Sequence, residues 1–486
     1  MRVLDEGPGT GAGPAPAYAA AEKIYPLAAR GRFRRIKWIV LVITLGIYYL
    51  LPFVRWDRGP NAPDQAVLVD LAGRRGYFFF IEIWPQEVYY LTGLLVIAAM
   101  TLFLMNAIAG RVWCGYLCPQ TVWTDLYILV ERLIEGDRRE RMKLDAAPWT
   151  ASKIGKRVVK HALWLIIAWW TGGAWVLYFG DAPTMVKELA TGTASVTAYA
   201  SIALLTLTTY TLAGHMREQV CTYMCPWPRI QAALTDEWAL NVTYRVDRGE
   251  PRGSLKENAR LAALGEKVGD CIDCKQCVAV CPVGIDIRNG PQMSCIQCGL
   301  CIDACDGVMT RVSKPTGLIG YDTDVNIARR REGLPPVWKF VRARTVVYAV
   351  IIAVTAGLML WSLATRSSLG VNVLHDRNPI AVALSDGGVR NGYTIRLLNK
   401  RPEDRAFDIA VDGLPEGGHI EVVGLEPQPD GTLVADIGPD RTRELRLLLF
   451  APAGGVADDA KLPIRVVVRD VATGETAAAG DFFHAP

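Results

Sequence analysis

The chain has 486 residues, of which 51% are apolar, and carries a formal net charge of +4 at pH 7. A chain of this length is too long for one hydrophobic core and is expected to divide into several units. A charge so close to balance excludes the strongly basic character of nucleic-acid-binding domains, and we expect no nucleic-acid partner.

The apolar residues concentrate in five runs, each of about the length that crosses a bilayer as a helix. Basic residues are dense before the first run and between the second and third, whereas only Lys187 lies between the third and fourth. Because basic connections stay in the cytoplasm, we expect a multi-pass protein of the bacterial inner membrane with its N-terminus inside and its C-terminus in the periplasm. The runs are Ile36–Val54, Val88–Ala107, Val158–Gly180, Val196–Gly214 and Thr345–Ala364.

The start of the chain is rich in Gly, Ala and Pro and has no basic region followed by an apolar one. It therefore does not read as a cleavable signal peptide. We expect a cytoplasmic tail, disordered over about its first twenty residues, that leads into an uncleaved membrane anchor.

All 12 cysteines fall in closely spaced clusters, and none follows Cys305. The predicted topology places the cysteine-free C-terminal segment outside, where disulfides are permitted, and the clusters on the reducing side. The cysteine clusters are therefore expected to bind metal rather than to form disulfides.

The densest cluster reads CIDCKQCVAVCP and then CIQCGLCIDAC. Zinc modules pair two cysteines and take two more from a distant point. Three cysteines within seven residues, followed by a fourth, are instead typical of bacterial two-cluster ferredoxins, in which the fourth cysteine ligates the other [4Fe–4S] cluster. The predicted ligands are Cys271, Cys274, Cys277 and Cys305 for cluster I, and Cys295, Cys298, Cys301 and Cys281 for cluster II.

The two motifs of this segment differ after the fourth cysteine. Pro282 follows Cys281, whereas Asp306 follows Cys305. We expect the turn that leaves cluster I to be the more exposed and polar one. The apolar residues expected to pack as a core around the clusters are Ile272, Val278, Val280, Val283 and Ile296.

Two further cysteine pairs stand at the ends of the second and fourth apolar runs, in GRVWCGYLCPQ and REQVCTYMCPW. The repeated C-x3-C-P motif indicates an internal duplication. Residues four apart share one face of a helix, so each pair is expected to point two thiolates in one direction before the proline disrupts the helix. Thiolate and imidazole suit copper or iron, although cysteine is also a common packing residue. The candidate ligands of copper or another metal are Cys114, Cys118, Cys221 and Cys225, with His215 and then His161 as additional candidates.

Three stretches together carry a family resemblance: KIYPLAARGRFRRIKW, GRVWCGYLCPQTVWTDLYILVERLIEGDRRERMKLD and the eight-cysteine segment. They closely resemble the FixG/CcoG family of membrane polyferredoxins, which are accessory proteins of cytochrome c oxidase assembly. The resemblance covers nearly the whole chain and implies an oxidoreductase-type activity, the reduction of Cu(II) to Cu(I) for copper insertion. A related branch with the same motifs contains quinol dehydrogenase subunits, and a redox-sensing or structural assembly factor is a third interpretation.

The resemblance also implies partners. They are cytochrome oxidase subunits or copper-delivery proteins, together with a cytoplasmic electron donor or a quinol. A homodimer is compatible with the same interpretation.

The segment after the fifth run alternates apolar and polar residues, for example at Phe407, Ile409 and Val411, and is divided by turns such as LPEGGH and PQPDGT. This period of two predicts an antiparallel sandwich, and the resemblance implies an immunoglobulin-like domain. A blue-copper domain is excluded because its site needs a cysteine.

The sequence thus predicts a multi-domain membrane protein with five transmembrane α-helices, an inserted bacterial-type dicluster ferredoxin domain and a C-terminal immunoglobulin-like β-sandwich. The predicted domains are a cytoplasmic N-terminal tail (1–35), transmembrane helices 1–4 with the two C-x3-C-P motifs (36–235), the cytoplasmic dicluster domain with its linkers (236–344), transmembrane helix 5 (345–365) and a periplasmic immunoglobulin-like domain (366–486).

Overall fold

The computed structural model describes residues 23–59, 62–401, 403–457 and 460–485. The expected disorder at the start of the chain concerns residues outside this part. The α-helices are, in chain order, α1 (Arg32–Leu50), α2 (Tyr89–Ala109), α3 (Val112–Tyr116), α4 (Pro119–Glu135), α5 (Arg138–Ala146), α6 (Ala151–Val176), α7 (Ala182–Thr191), α8 (Val196–Thr209), α9 (Trp227–Leu234), α10 (Val246–Gly249), α11 (Leu255–Ala263), α12 (Gln276–Ala279), α13 (Leu300–Arg311), α14 (Asp324–Arg331) and α15 (Ala343–Ala364).

The strands of the described residues follow the same chain order. They are β1 (Val67–Asp70), β2 (Arg75–Phe78), β3 (Ile81–Ile83), β4 (Asn241–Tyr244), β5 (Ile319–Asp322), β6 (Leu369–His375), β7 (Ala381–Ala383), β8 (Val389–Asn399), β9 (Arg405–Asp412), β10 (His419–Val422), β11 (Val434–Ile437), β12 (Thr442–Ala451), β13 (Lys461–Asp470) and β14 (Thr476–His484).

The five predicted apolar runs are helices, and within the described residues five helices are long and apolar enough to cross a membrane. The third begins earlier than its apolar run, at Ala151, because the Thr150 hydroxyl caps it by accepting the Lys153 N–H at 3.3 Å. The fourth continues from α8 into a π-helical segment, Tyr210–Met216. The five segments are Arg32–Phe53, Tyr89–Ala109, Ala151–Phe179, Val196–Met216 and Ala343–Ala364.

The chain divides into two compact units, and the first comprises Met1–Leu50, Leu94–Leu177 and Glu188–Ala353. In this unit α6 packs closely against α8. A side chain at Gly172 of α6 would place its Cβ 2.9 Å from the Ile202 carbonyl oxygen of α8. The missing side chain is therefore what lets the two helices approach each other.

The eight-cysteine segment also belongs to the first unit. β4 and β5 pair antiparallel beside it, and Cys271, Cys277 and Cys305 are themselves part of a buried core with Met309 and Leu318. The expectation that apolar neighbours pack around the cysteines is confirmed. Ile272 and Val278 join this core, and Val280, Val283 and Ile296 belong to an adjacent one.

The chain just before and at the start of α1 is packed against this segment. The Leu27 N–H donates to the Ala279 carbonyl oxygen at 2.8 Å. The Asp303 carboxylate accepts the N–H groups of Phe33 (3.1 Å) and Arg34 (2.8 Å), which α1 leaves free at its first turn. α1 begins at Arg32, inside the stretch 1–35 that was expected to be a tail. Its first turn is capped by Asp303 of α13, the helix that carries Cys301 and Cys305.

The second unit comprises Leu51–Gly93, Tyr178–Lys187 and Val354–Pro486, and its largest part is an antiparallel sandwich. One sheet has the order β10-β12-β8-β6, with β7 also paired to β8, and the other has the order β11-β9-β13-β14. The predicted period of two is confirmed, because Phe407 and Ile409 lie in the core between the sheets. The remaining part includes the small sheet β1-β2-β3, after which Glu87 pairs with Lys400 at 3.0 Å and with Arg366 at 3.4 Å.

The capping of α1 by Asp303 generates a stability prediction. Replacement by alanine leaves the buried Arg34 N–H and the half-buried Phe33 N–H without an acceptor, so Asp303→Ala should lower the unfolding free energy by about 1–2 kcal/mol. Asp303→Asn retains an acceptor oxygen and should lose less. Urea unfolding of the detergent-solubilised protein, followed by circular dichroism, measures both changes. Equal stability of the alanine variant and the parent would show that the cap contributes nothing.

Candidate metal centre

The two Cys-x-x-Cys-x-x-Cys loops share one backbone conformation, with residues of positive φ on both sides of the second cysteine. In the first loop Asp273 (φ 50°) and Lys275 (φ 54°) flank the second cysteine in the left-handed region, and in the second loop Gln297 (φ 55°) and Gly299 (φ 74°) do the same. This region is unfavourable for residues with a side chain, and such strain concentrates at functional sites. The motif spacing did not identify these residues, and only Gly299 offered a signal for them in the sequence.

The structure divides the eight thiols into two sets. Burial raises the pKa of Cys305 to about 12, with further contributions from Cys277, Cys274 and Cys271 of the first loop. Cys305 therefore lies beside the loop from which it is most distant in sequence. Burial likewise raises the pKa of Cys301 well above its usual value, and the strongest of its charged neighbours are Cys298, Cys295 and Cys281. These neighbours agree with the sets named for clusters I and II, and both the division into sets and the binding of iron stay predictions.

The second set lines a small cavity. All of its cysteines line the cavity, as does Cys277, and apolar side chains such as Val242 and Ile287 complete the wall. The N–H groups of Val283, Gly284 and Ile285 bond to the Cys281 sulfur and oppose the burial that raises its pKa to about 11. An all-thiol donor set in a small apolar cavity, with N–H groups on sulfur, fits a [4Fe–4S] cluster.

The spacing of the thiols also bears on the kind of metal group. Within the described residues no group of three or more His, Cys, Asp or Glu side chains is arranged to hold a single metal ion. In a cubane each thiolate binds a different iron, so the sulfurs stand further apart than around one ion. The motif spacing, with three cysteines within seven residues, is that of cluster ligands rather than of a zinc module.

Exposure and charge differ around the first set. Cys274 is exposed, whereas Cys271, Cys277 and Cys305 are buried. Arg288 pairs with Asp286 at 2.6 Å and also with Asp273, the strained residue of the loop. Its positive charge opposes the burial that raises the pKa of Cys277 to about 11. The guanidinium thus both fixes the first loop and favours thiolate there.

The exit from the second motif differs from the sequence expectation. No turn follows Cys305, because α13 continues through Asp306 to Arg311. Without a proline at this position nothing interrupts the helical hydrogen bonds. The Asp306 carboxylate accepts the Gly317 N–H at 2.7 Å. The expectation of an exposed polar turn was wrong.

The two C-x3-C-P motifs do not place their cysteines on one helix face, and that expectation was also wrong. Cys114 lies in α3, but Cys118 is extended (φ −61°, ψ 127°) at the start of α4. Cys221 lies in a π-helical segment, Val220–Met224, and Cys225 is again extended (φ −79°, ψ 122°). The cause is local, because a residue before proline is disfavoured in the helical region.

The fold nevertheless brings the two pairs together. Burial raises the pKa of Cys114 to about 12, and Cys118, Cys221 and Cys225 all raise it further. Burial raises the pKa of Cys221 to about 11, with Cys118 and Cys225 as the next causes. The Cys114 thiol itself donates to the Gln231 side-chain oxygen at 3.4 Å. The four thiols are therefore electrostatic neighbours, and their sharing of one metal, like the identity of that metal, stays a prediction.

The first of these motifs lies directly on the second cysteine loop of the dicluster segment. A Cβ at Gly115 would be 2.8 Å from the Ile296 carbonyl oxygen and 3.1 Å from the Cys298 Cα. The Tyr116 hydroxyl donates to the Cys298 carbonyl oxygen at 2.9 Å. Buried Arg111 donates to the Cys295 carbonyl oxygen at 3.3 Å. The contact is therefore made by backbone on backbone, with hydrogen bonds on both sides.

The two candidate histidines are brought to each other and not to the thiols. The rings of His161 and His215 stack with centroids 5.8 Å apart, and His161 Nδ1 lies 2.9 Å from the Tyr210 hydroxyl. They line a cavity whose described lining contains no cysteine. Arg217, with φ 42°, interrupts the helix between His215 and the second motif. The two-turn helical spacing expected from the sequence is therefore absent.

Two sets of four thiols in one apolar core, next to a third group of four, define an iron–sulfur redox protein. Comparison with family models agrees. Residues 216–324 match a family described as "4Fe-4S dicluster domain", residues 91–135 match "4Fe-4S binding domain", and residues 359–486 match "IG-like fold at C-terminal of FixG".

The chain belongs to the FixG family. It is 50% identical over 469 residues to "Nitrogen fixation protein FixG" of Rhizobium meliloti, covering 91% of this chain and 89% of that protein. It is 49% identical over 478 residues to "Protein RdxA" of Cereibacter sphaeroides, covering 96% of this chain and 98% of that protein. A crystal structure of a FixG-related protein from Vibrio parahaemolyticus aligns with 25% of this chain and 98% of that one, at 19% identity and a TM-score of 0.21.

The crossed arrangement of the fourth cysteines yields a prediction. Cys281→Ser should damage the cluster of the second motif although Cys281 lies in the first, and Cys305→Ser should damage the cluster of the first. Iron analysis and low-temperature EPR of anaerobically purified variants give the readout, and each variant should retain the intact [4Fe–4S] signal of the other dicluster set. If Cys281→Ser perturbed the same signal as Cys271→Ser, the assignment of the two sets would be incorrect.

Proposed function

We propose that this protein is a membrane-bound electron-transfer protein that reduces Cu(II) to Cu(I) for the assembly of haem–copper oxidases. The observation that carries the proposal is the direct contact between the dicluster segment and the C-x3-C-P motifs. Gly115, Tyr116 and Arg111 join the first motif to the second cysteine loop. A close backbone contact of this kind suits electron passage between the two cysteine systems.

The chemistry of the residues supports copper as the acceptor. Each [4Fe–4S] cluster, when bound, supplies one electron at a time, and one electron converts Cu(II) to Cu(I). Thiolates favour Cu(I) over Cu(II), so soft ligands next to the electron source make the reduction more favourable. Copper is the substrate of this reaction, in agreement with the family resemblance.

The location is part of the proposal. In the part of the chain that the structure describes, five helices are long and apolar enough to span a membrane, and basic residues precede the first and lie between the second and third. This distribution favours a bacterial inner-membrane protein with the dicluster segment in the cytoplasm and the immunoglobulin-like domain in the periplasm. There the domain would dock oxidase subunits or copper-delivery proteins.

Reporter fusions test the orientation. Alkaline phosphatase fused after Asp236 should be inactive, and the same enzyme fused after Arg366 should be active, because the basic flanks hold Asp236 in the cytoplasm. A green fluorescent protein at the same two points should give the opposite pattern. An active phosphatase after Asp236 would place the dicluster segment outside and remove the basis of the proposed route.

A copper assay tests the reaction. The quadruple variant Cys114→Ser, Cys118→Ser, Cys221→Ser, Cys225→Ser should reduce Cu(II) at least about tenfold more slowly than the parent, because the soft-ligand site is lost. The reduced proteins are mixed with Cu(II) anaerobically, and Cu(I) is followed with a chelator. The eight dicluster cysteines are unchanged in this variant. The EPR signals of their clusters serve as the control for folding. Equal rates would remove the four cysteines from the reaction.

A second candidate, quinol oxidation, is favoured by the cavity beside α6 and the π-helical segment Tyr210–Met216. Its lining joins two imidazoles to the indole of Trp164 and the carboxylate of Glu218. Burial raises the pKa of Glu218, so this group accepts a proton more readily than an exposed carboxylate does, and flat rings suit a quinol head. Replacing the chemical reductant by a short-chain quinol in the same assay decides the matter: oxidised protein that quinol leaves unreduced would exclude this candidate.

A further inference from the structure

The C-x3-C-P motifs repeat a piece of the dicluster segment. Cys277-x3-Cys281-Pro282 has the same spacing as the motifs that begin at Cys114 and Cys221. The local structure is also the same. In each case the first cysteine lies in a short helix or π-helical segment, and the second follows its end and precedes the proline. In the dicluster segment this piece presents its thiols to the proposed cluster sites.

Counting the cysteines gives an independent indication. The match to the family described as "4Fe-4S binding domain" spans residues 91–135, which contain two cysteines, Cys114 and Cys118. A [4Fe–4S] cluster takes four thiolates, so two more must come from elsewhere. The eight dicluster cysteines are committed to their own two sets. Of the 12 in the chain only Cys221 and Cys225 are left, and the fold places them beside Cys114.

The spacing of the four thiols disfavours a single ion. A metal–sulfur bond of about 2.3 Å puts tetrahedral thiolates only about 3.8 Å apart. In the described residues no three potential ligands are arranged to hold one ion, and this applies equally to these cysteines and to the two dicluster sets. Four neighbouring thiols in motifs that repeat the Cys277–Pro282 piece of the dicluster segment fit a cubane, in which each thiolate binds its own iron.

The surroundings supply the positive charge that such a group requires. A cluster held by four thiolates is anionic, and burying it needs a counter-charge. The Arg111 guanidinium is buried and interacts with both Cys114 and Cys295. It also donates to the Pro228 carbonyl oxygen at 2.9 Å, in the segment after the second motif. Arg111 therefore stands between the four thiols and the second dicluster set.

From this convergence we propose that Cys114, Cys118, Cys221 and Cys225 together bind a third iron–sulfur cluster of the four-iron type. The cluster consists of iron and sulfide. It takes the place of the copper ion that was expected at these thiols from the sequence. The assignment deepens the proposed function and rests on it only for the role of the site in electron transfer. Copper then remains the substrate that is reduced but is not bound by these thiols, so the slower reduction expected of the quadruple variant follows from the loss of the electron route and not of a copper site.

Iron counting tests the assignment without reference to copper. The full-length chain, purified anaerobically and reconstituted with iron and sulfide, should hold about twelve iron atoms, and the quadruple serine variant about eight. Tyr223→Phe changes an exposed residue inside the second motif and should retain all twelve. Mössbauer spectra of the 57Fe-loaded parent should show four irons that the quadruple variant lacks. Their signals should be those of a [4Fe–4S] cluster, in which the four irons form two pairs.

The opposite results are equally distinct. A parent with about eight irons, or a quadruple variant with as many irons as the parent, overturns the assignment whatever the copper assay gives. If the quadruple variant does not fold, Cys118→Ser alone decides. It should alter one of three EPR signals and leave the two dicluster signals unchanged, and three unaltered signals would overturn the assignment. Failure of the copper assay with twelve irons present would overturn the proposed function only.

Discussion

The first unit depends on one close backbone contact. At Gly115, α3 lies close to the loop of Ile296 and Cys298. A Cβ added at Gly115 would stand only 2.8 Å from the Ile296 carbonyl oxygen. Such an approach is available only to glycine. It positions the four thiols of the C-x3-C-P motifs next to the second dicluster set, and it lets Tyr116 reach the Cys298 carbonyl oxygen. The proposed electron route and the proposed third cluster both depend on this proximity.

Buried ion pairs hold the elements around that contact. Arg34 donates to both oxygens of Asp125 at 2.9 Å, and Lys37 lies 3.3 Å away. Burial opposes the charge on Asp125, but Lys37 and Arg34 outweigh it and hold the pKa of Asp125 below its usual range. Glu131 is shared in the same way by Arg141 and Arg217. Removing one partner of such a group leaves an uncompensated buried charge, which is far more costly than the pair is stabilising.

The dicluster loops and the C-x3-C-P motifs bring their thiols together through different backbone conformations. Left-handed residues such as Asp273 and Lys275 curl the dicluster loops. In the C-x3-C-P motifs the proline ends a short helix and leaves the preceding cysteine extended. Both conformations interrupt regular secondary structure, in which the cysteine side chains would diverge. The thiols can then point to a shared position. The Cys277–Pro282 stretch combines the two systems, since it carries the C-x3-C-P arrangement inside the dicluster segment.

Composition, period and spacing were enough to predict the elements whose cause is local. Long apolar runs can satisfy their backbone in a membrane only as helices, the alternation after the fifth run indicates a half-buried strand, and the cysteine spacing alone identifies the dicluster segment. Contacts between distant residues settled the rest. They separated His215 from the thiols through the break at Arg217, continued α13 past Asp306, and capped α1 with Asp303. These outcomes rest on packing and hydrogen bonds between segments far apart in the chain, and a local pattern carries no record of them.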